Sequence, residues 1–367
     1  MSDRSLMASP QRLDQLTALR FFAALAVVGS HLWPLAEYPG PLQGLARTLL
    51  HEGYAGVSFF FMLSGYILAH SYTDRLASGA VPVRRYLVLR VARIAPLHWL
   101  VALPLAGLAL WQDGLSIWLK VLVNLSLLQA WVPSSDWYFT INEPSWSLSD
   151  EAFFYACFAA LACWPLRRLK GLAAGLLALN LGVVLWRLST GQGAVLDGER
   201  NTLTHWLTYI TPVARLLDFV VGMLVYHATW RGGTRRELGV AALLLTAMVA
   251  YPVLGVPDAL RMQLAYLPIM ALVIGIFGQG DGAVSRWLGG CPKLVLLGDA
   301  SFALYLVHLP ILHGGLWVQE WLGDAALPWL VWSTLVVLVS MGVSVVVYKG
   351  VEVPVARSLR RWIEARI

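Results

Sequence analysis

Residues 16–35 read LTALRFFAALAVVGSHLWPL, an apolar stretch with one arginine, Arg20, and one histidine, His31. About 20 predominantly apolar residues are enough to cross the hydrocarbon core of a bilayer as a helix. At about 100° per residue, Arg20 and His31 share one face of that helix and lie about 16 Å apart along its axis. Ionisable groups at this depth usually face a cavity on a substrate or proton path, although a snorkelling arginine and an interfacial histidine give the same pattern.

The composition indicates an integral membrane protein of the all-α class. Apolar residues make up 58% of the 367-residue chain and charged residues 13%, whereas soluble domains carry about 25% charged residues. The apolar stretches have the length of spanning helices, and no alternating strand pattern accompanies them. The three cysteines lack disulfide or metal-ligand spacing, so we expect no metal site. The basic residues cluster between spans, which argues for a topological role and against a nucleic-acid partner.

The sequence predicts ten transmembrane helices plus one short re-entrant or interfacial helix at 115–131. That segment is at the lower length limit for a crossing. If it crossed, the basic clusters would be divided between the two faces, against the positive-inside rule. Without that crossing, both termini and all basic clusters are cytoplasmic. The predicted spans are 15–36, 54–73, 91–111, 146–166, 171–188, 205–229, 237–255, 260–278, 296–317 and 326–349.

A carboxylate and several hydroxyl or imidazole groups are predicted at a depth in the membrane where they could form a site with His31. Glu151 lies near the outer end of its span, where a carboxylate could orient an imidazole for deprotonating a hydroxyl. Acidic residues in a first helical turn also suit the helix dipole, so that interpretation stays open. Ser64 precedes Gly65 near mid-membrane without a nucleophile elbow, which favours packing. Tyr305 and His308 are one turn apart and either line the same cavity or bond across helices.

Arginines are concentrated at the entrance to the third span. Their guanidinium groups match phosphate geometry, so Arg84, Arg90 and Arg93 are candidates for holding an anionic ligand. Anchoring to anionic lipid headgroups explains Arg84 and its neighbour Arg85 equally well. No Walker or dinucleotide-binding motif is present. Deeper in the chain, Arg215 and Asp218 are three residues apart within an apolar span, which predicts a structural ion pair.

The longest outer loop, 112–145, is rich in aromatic residues, and more of them follow at the start of the next span. Trp131, Trp137, Tyr138 and Trp146 fit an interfacial aromatic belt. Aromatic platforms also suit the apolar faces of sugar rings, so a carbohydrate-binding role is an alternative interpretation.

Motifs along the chain resemble those of the membrane-bound acyltransferase 3 family, in the family's order. They are Arg20 and His31 with ten residues between them, GYAGVSFFFMLSGY at 53–66, RVARIAP at 90–96, WSLSDEAFFY at 146–155, RLLDFVVGM at 215–223, GDASFALYLVH at 298–308 and VEVP at 351–354. Asp218 stands where glutamate is more frequent in the family. The resemblance implies an acyltransferase 3 domain at 15–349, between cytoplasmic tails at 1–14 and 350–367.

The resemblance also implies an activity: transfer of an acyl group, usually acetyl, from cytoplasmic acyl-CoA to a hydroxyl of an extracytoplasmic glycan. Acetyl-CoA is then the donor substrate, with no permanently bound cofactor, in a multi-pass protein of the bacterial inner membrane that contacts membrane lipids. His31 and Glu151 become the expected catalytic residues. Arg20, Arg84, Arg90 and Arg93 become the expected donor contacts, and the expected acceptor contacts are Ser64, Trp146, Ser147, Tyr305 and His308.

The main alternative is a transporter or flippase that moves a lipid-linked glycan through the same polar stripe. It predicts movement across the membrane without acyl modification. The chain shows no evident inverted repeat of the kind that many transporters carry.

Overall fold

The computed structural model describes residues 12–33, 37, 43–195 and 202–366, and it contains helices and no strand within those ranges. The longer helices are α1 (Asp14–Ser30), α2 (Ala55–Ala77), α3 (Val83–Asp113), α4 (Trp118–Leu125), α5 (Trp146–Leu161), α6 (Leu166–Ser189), α7 (Pro212–His227), α8 (Thr234–Val253), α9 (Leu267–Phe277), α10 (Ala283–Gly290), α11 (Pro292–Asp299), α12 (Ser301–Leu322), α13 (Trp329–Val347) and α14 (Val353–Arg366). The predicted all-α class is confirmed. Most of the predicted N-terminal tail, residues 1–11, lies outside the described residues.

The helices are arranged as expected for a polytopic membrane protein. Within the described ranges, seven helical stretches are long and apolar enough to cross a membrane: Arg47–Ala77, Val83–Leu125, Leu166–Ser189, Thr202–His227, Thr234–Val253, Ser301–Leu322 and Trp329–Leu359. The other three predicted spans, 15–36, 146–166 and 260–278, each overlap a shorter helix, α1, α5 and α9 respectively, and residues 34–36 of the first lie outside the described residues. Large apolar side chains such as Leu103, Leu185 and Leu338 are exposed along the outer helices, which suits contact with lipid.

The segment at 115–131 does not form a spanning helix. Gly114, with a φ of 69°, ends α3, and α4 has only eight residues, or about 12 Å against a core of about 30 Å. α4 folds back along α3, where His98 Nε2 lies 3.0 Å from the Asn124 carbonyl oxygen and Trp99 donates to the Leu125 carbonyl at 3.0 Å. Since α3 has 31 residues and is about 46 Å long, α4 covers only part of its length.

Helices α2 and α7 pack with their backbones in close approach. A Cβ added to Gly65 would lie 2.0 Å from the Phe219 carbonyl oxygen, and one added to Gly222 would lie 1.9 Å from the Met62 carbonyl oxygen. Only glycine permits the two backbones to approach this closely. The packing role expected around Ser64-Gly65 therefore belongs to the glycine.

The predicted pair of Arg215 and Asp218 is present in α7 and is completely buried, with 3.4 Å between Nη1 and Oδ2. Arg215 also donates to Ser58 Oγ at 2.9 Å, and Gln263 donates to Asp218 Oδ2 at 2.9 Å. The guanidinium lies over the ring of Tyr209, 5.0 Å from its centroid. This network binds α7 to α2 and to the segment before α9, as a structural role requires.

Candidate active site

Two adjoining cavities lie between the helices. The first, here called the arginine cavity, is lined by side chains that include Arg20, Ser64, Arg90, Arg93, Ser147, Glu151, Tyr155 and Phe302. The second, here called the histidine cavity, is lined by side chains that include His31, His51, Tyr54, Phe139, Glu143, Trp146, His205 and Tyr209. Val57 and Tyr305 line both cavities, so these two side chains form the partition between them.

Helix α1 runs beside both cavities. Arg20 lines the arginine cavity, and His31, at the C-terminal end of α1, lines the histidine cavity. The prediction that Arg20 and His31 share one face, and that this face borders a cavity, agrees with this placement. One helix therefore carries a cation into the first cavity and an imidazole into the second.

Arg90 is held at the arginine cavity by a group of tyrosines. Its Nη2 donates to Tyr72 Oη at 3.1 Å. Its Cζ lies 5.1 Å from the ring centroid of Tyr72, and 5.9 Å from those of Tyr86 and Tyr155. Contacts of this kind between a guanidinium and aromatic faces are attractive and fix its orientation. Arg90 therefore presents a positioned positive charge to the cavity.

Arg93 lines the same cavity and forms an ion pair with Glu352, in the turn between α13 and α14. Its guanidinium also lies 5.4 Å from the ring centroid of Phe302. Glu352 belongs to the VEVP motif, but no local spacing connected it to Arg93. Arg84, the fourth predicted donor contact, is exposed and does not line the cavity, which leaves lipid anchoring as its better explanation.

Glu151 lines the arginine cavity, whereas the histidine that it was expected to orient lines the other one. Its Oε2 accepts a hydrogen bond from Tyr155 Oη at 3.2 Å. The physical reason is depth, because Glu151 lies five residues after Trp146 on α5, or about 7.5 Å along the helix axis. Trp146 is at the histidine cavity, and Glu151 is one and a half turns away beside the arginines.

The imidazole next to His31 belongs to His308 of α12. Nε2 of His308 lies 3.3 Å from Nδ1 of His31, and the ring centroids are 5.0 Å apart. His31 Nδ1 is also 2.8 Å from the Val27 carbonyl oxygen. His308 is completely buried and is not among the cavity-lining side chains. His308 therefore contacts His31 across two helices, the second of the two roles that the sequence left open.

Aromatic rings form a continuous wall in the histidine cavity. Tyr209 is central: its ring centroid is 5.0 Å from that of Trp146 and 5.9 Å from that of Tyr54. The ring of Tyr209 also stacks on that of His205, with 5.5 Å between the centroids. Of the four aromatic residues assigned to the interfacial belt, Trp146 lines this cavity. Among the described residues, no group of three or more His, Cys, Asp and Glu side chains could hold a metal ion.

A family model described as "Acyltransferase domain" matches residues 13–349. Acyltransferase MdmB of Streptomyces mycarofaciens is 33% identical over 321 residues, which are 83% of this chain and 80% of that protein. Exopolysaccharide production protein ExoZ of Rhizobium meliloti is 32% identical over 268 residues, 70% of this chain and 75% of that protein. O-acetyltransferase OatA of Staphylococcus aureus is 22% identical over 380 residues, 96% of this chain and 58% of that protein. No solved structure matches the chain significantly.

Proposed function

Since this chain belongs to the acyltransferase 3 family of membrane-bound O-acyltransferases, we propose that it transfers an acetyl group from cytoplasmic acetyl-CoA to a hydroxyl of an extracytoplasmic glycan. The protein would lie in the bacterial inner membrane with both termini cytoplasmic, and its acyltransferase domain would be residues 15–349 between tails at 1–14 and 350–367. One observation carries the proposal. The arginine cavity and the histidine cavity meet at Val57 and Tyr305, so a donor and an acceptor could approach one reaction centre from two sides.

The arginine cavity suits the donor. Coenzyme A carries phosphate groups, and Arg20, Arg90 and Arg93 place three guanidinium groups around one space. Guanidinium groups bind phosphate oxygens in a bidentate geometry, and in a water-poor cavity this attraction is stronger than at an exposed surface. The pantetheine arm would then extend along α1 toward Tyr305 and bring the thioester near His31.

His31 is the proposed reactive group of the acceptor side, with two routes open to it. In the first, Nε2 removes the proton of the acceptor hydroxyl, the oxygen attacks the thioester carbonyl, the C–S bond breaks, and the proton passes to the departing thiolate. In the second, Nε2 attacks the carbonyl and the C–S bond breaks to release the thiolate; the hydroxyl oxygen then attacks the acyl group, the bond to Nε2 breaks, and the hydroxyl proton passes to the thiolate. Tyr155 and Glu151 would then line the path of the thioester from the arginine side.

The histidine cavity suits a carbohydrate acceptor. Trp146 and Tyr54 line it with aromatic rings, which would suit the apolar side of a sugar, and Glu143 and His51 would supply polar groups for its hydroxyls. ExoZ is named for exopolysaccharide production, which favours a surface polysaccharide as the acceptor. Ser64 and Ser147 line the arginine cavity, so their proposed contacts would be with the donor side of the reaction.

The test uses purified protein in lipid nanodiscs, labelled acetyl-CoA and a panel of surface glycans, with label transfer followed by mass spectrometry. Wild type should label a glycan and His31→Gln should not. His227→Gln is the matched control, because His227 is exposed and lines neither cavity. Binding of acetyl-CoA by the wild type without transfer to any glycan would overturn the acceptor assignment. No binding of acetyl-CoA would overturn the donor assignment and favour the transporter alternative.

A further inference from the structure

The two histidines beside the reaction centre each bond to the backbone of the preceding turn. His31 Nδ1 lies 2.8 Å from the carbonyl oxygen of Val27, and His308 Nδ1 lies 3.2 Å from that of Leu304. A carbonyl oxygen only accepts hydrogen bonds, so each Nδ1 carries the hydrogen. The neutral form of each ring then has its lone pair on Nε2.

This tautomer assignment fixes the direction of the contact between the rings. His308 Nε2, which carries a lone pair, faces His31 Nδ1–H at 3.3 Å. The Nδ1–H of His31 is therefore shared between the Val27 carbonyl and His308. In neutral His31 the lone pair is on Nε2, the nitrogen that both proposed routes use.

We propose that His308 is a positioning residue that holds His31 in its Nδ1–H tautomer and stabilises the positively charged ring formed during the reaction. The inference rests on the proposed function of His31. When Nε2 of His31 takes up a proton or an acyl group, the ring becomes a cation and Nδ1–H becomes a stronger donor. His308 Nε2 then accepts a charge-assisted hydrogen bond, which is about twice as strong as a neutral one.

An imidazole suits this role at this depth better than a carboxylate does. His308 is completely buried, and burying an ionised carboxylate away from water is far more costly than burying a neutral ring with both nitrogens bonded. His308 is also absent from the cavity linings, so it acts through His31 and does not touch the acceptor. The carboxylate expected to orient His31, that of Glu151, lines the other cavity.

The first test compares His308→Leu and His308→Gln in the nanodisc assay. Leu removes one of the two acceptors that share Nδ1–H and leaves the Val27 carbonyl, so we expect kcat to fall about 10-fold, at the lower end for a lost hydrogen bond to a charged group, with the KM values for acetyl-CoA and glycan unchanged. Gln offers a carbonyl oxygen and should recover most of kcat. A kcat equal to wild type in His308→Leu would overturn the proposal, as would equal losses of kcat in the Leu and Gln variants when both unfold at the wild-type temperature.

A second measurement needs no variant at His308. The ¹⁵N signals of ring-labelled wild-type protein are assigned by comparison with the His31→Gln variant. They should show a protonated Nδ1 and a non-protonated Nε2 in the neutral rings of His31 and His308. A protonated Nε2 on neutral His308 would overturn the proposal whatever the activity. Failure of the proposed function is distinguishable, because wild type would then transfer no label while the ring signals could still show the expected tautomers.

Discussion

Arg93 and Glu352 form an ion pair that joins the start of α3 to the segment between α13 and α14, across 259 residues of sequence. Glu352 is almost fully buried, whereas the Arg93 side chain is partly exposed to the arginine cavity. The carboxylate therefore fixes the position of a cation that the proposed donor would contact. If the donor binds Arg93 as proposed, the same pair would connect its binding to the position of the C-terminal helix.

Arg93→Ala should raise the KM for acetyl-CoA about tenfold or more and lower the unfolding temperature. The first effect follows from the loss of a phosphate contact, and the second from leaving the buried Glu352 carboxylate unpaired. The double variant Arg93→Ala/Glu352→Ala should regain stability but keep the high KM. Steady-state kinetics and thermal unfolding in nanodiscs measure both effects, and a double variant with the wild-type KM would contradict the donor role of Arg93.

Gly65→Ala should destabilise the protein because its Cβ would meet the Phe219 carbonyl oxygen at 2.0 Å. Forcing α2 and α7 apart should cost about 1–3 kcal/mol of unfolding free energy. Gly107→Ala on α3 is the matched control, since a Cβ there meets nothing within 4 Å and alanine favours helix by about 1 kcal/mol. Thermal unfolding in detergent should therefore move in opposite directions for the two variants.

Asp218→Asn should reduce the yield of folded protein sharply, because it leaves the buried Arg215 guanidinium without its carboxylate. Removing one member of a buried ion pair typically costs about 3–5 kcal/mol. Asp218→Glu keeps the charge and should remain folded, in line with the glutamate that is frequent at this position in the family. Size-exclusion profiles of the purified variants report the result, and an Asn variant as well folded as wild type would show that the pair is dispensable.

A reporter fused after Asp136 should read extracytoplasmic, because α4 is too short to cross and folds back along α3. Alkaline phosphatase at this site should be active, and green fluorescent protein should be dark. The matched control is a fusion after Ser78, in the turn between α2 and α3, where the two reporters should give the reverse result. Fluorescence after Asp136 would mean that α4 and the residues around it cross the membrane.

The sequence allowed the helices, and the placement of Arg20 and His31 along one helix beside the cavities, to be predicted, because both depend on local periodicity. The spacing of Arg20 and His31 within one helix determines that they share a face. Arg90 and Arg93 are three residues apart, which likewise places them on one face of their helix. The length of 115–131 likewise agrees with the short helix found there, and whether this segment crosses the membrane stays a prediction.

Contacts between distant helices could not be predicted in the same way. His31 and His308 are 277 residues apart, and no period relates them. Which cavity Glu151 lines depends on its depth along α5 together with the tilt and rotation of that helix, which neighbouring helices set. The VEVP motif placed Glu352 in a family-like motif. That Arg93 is its ion-pair partner depends only on how α3 and α13 pack.

The partition formed by Val57 and Tyr305 has a consequence for the energy metabolism of a cell that carries this protein. Two polar cavities that merged into one water-filled passage would let protons flow down their electrochemical gradient, at a loss of about 2.3 kcal/mol per charge for each 100 mV. Val57 and Tyr305 narrow that route where the two cavities meet. The thioester arm of the proposed donor could occupy this narrow part as it enters. If the protein spans an energised membrane as proposed, replacing Val57 with a smaller residue is expected to raise the proton permeability of that membrane.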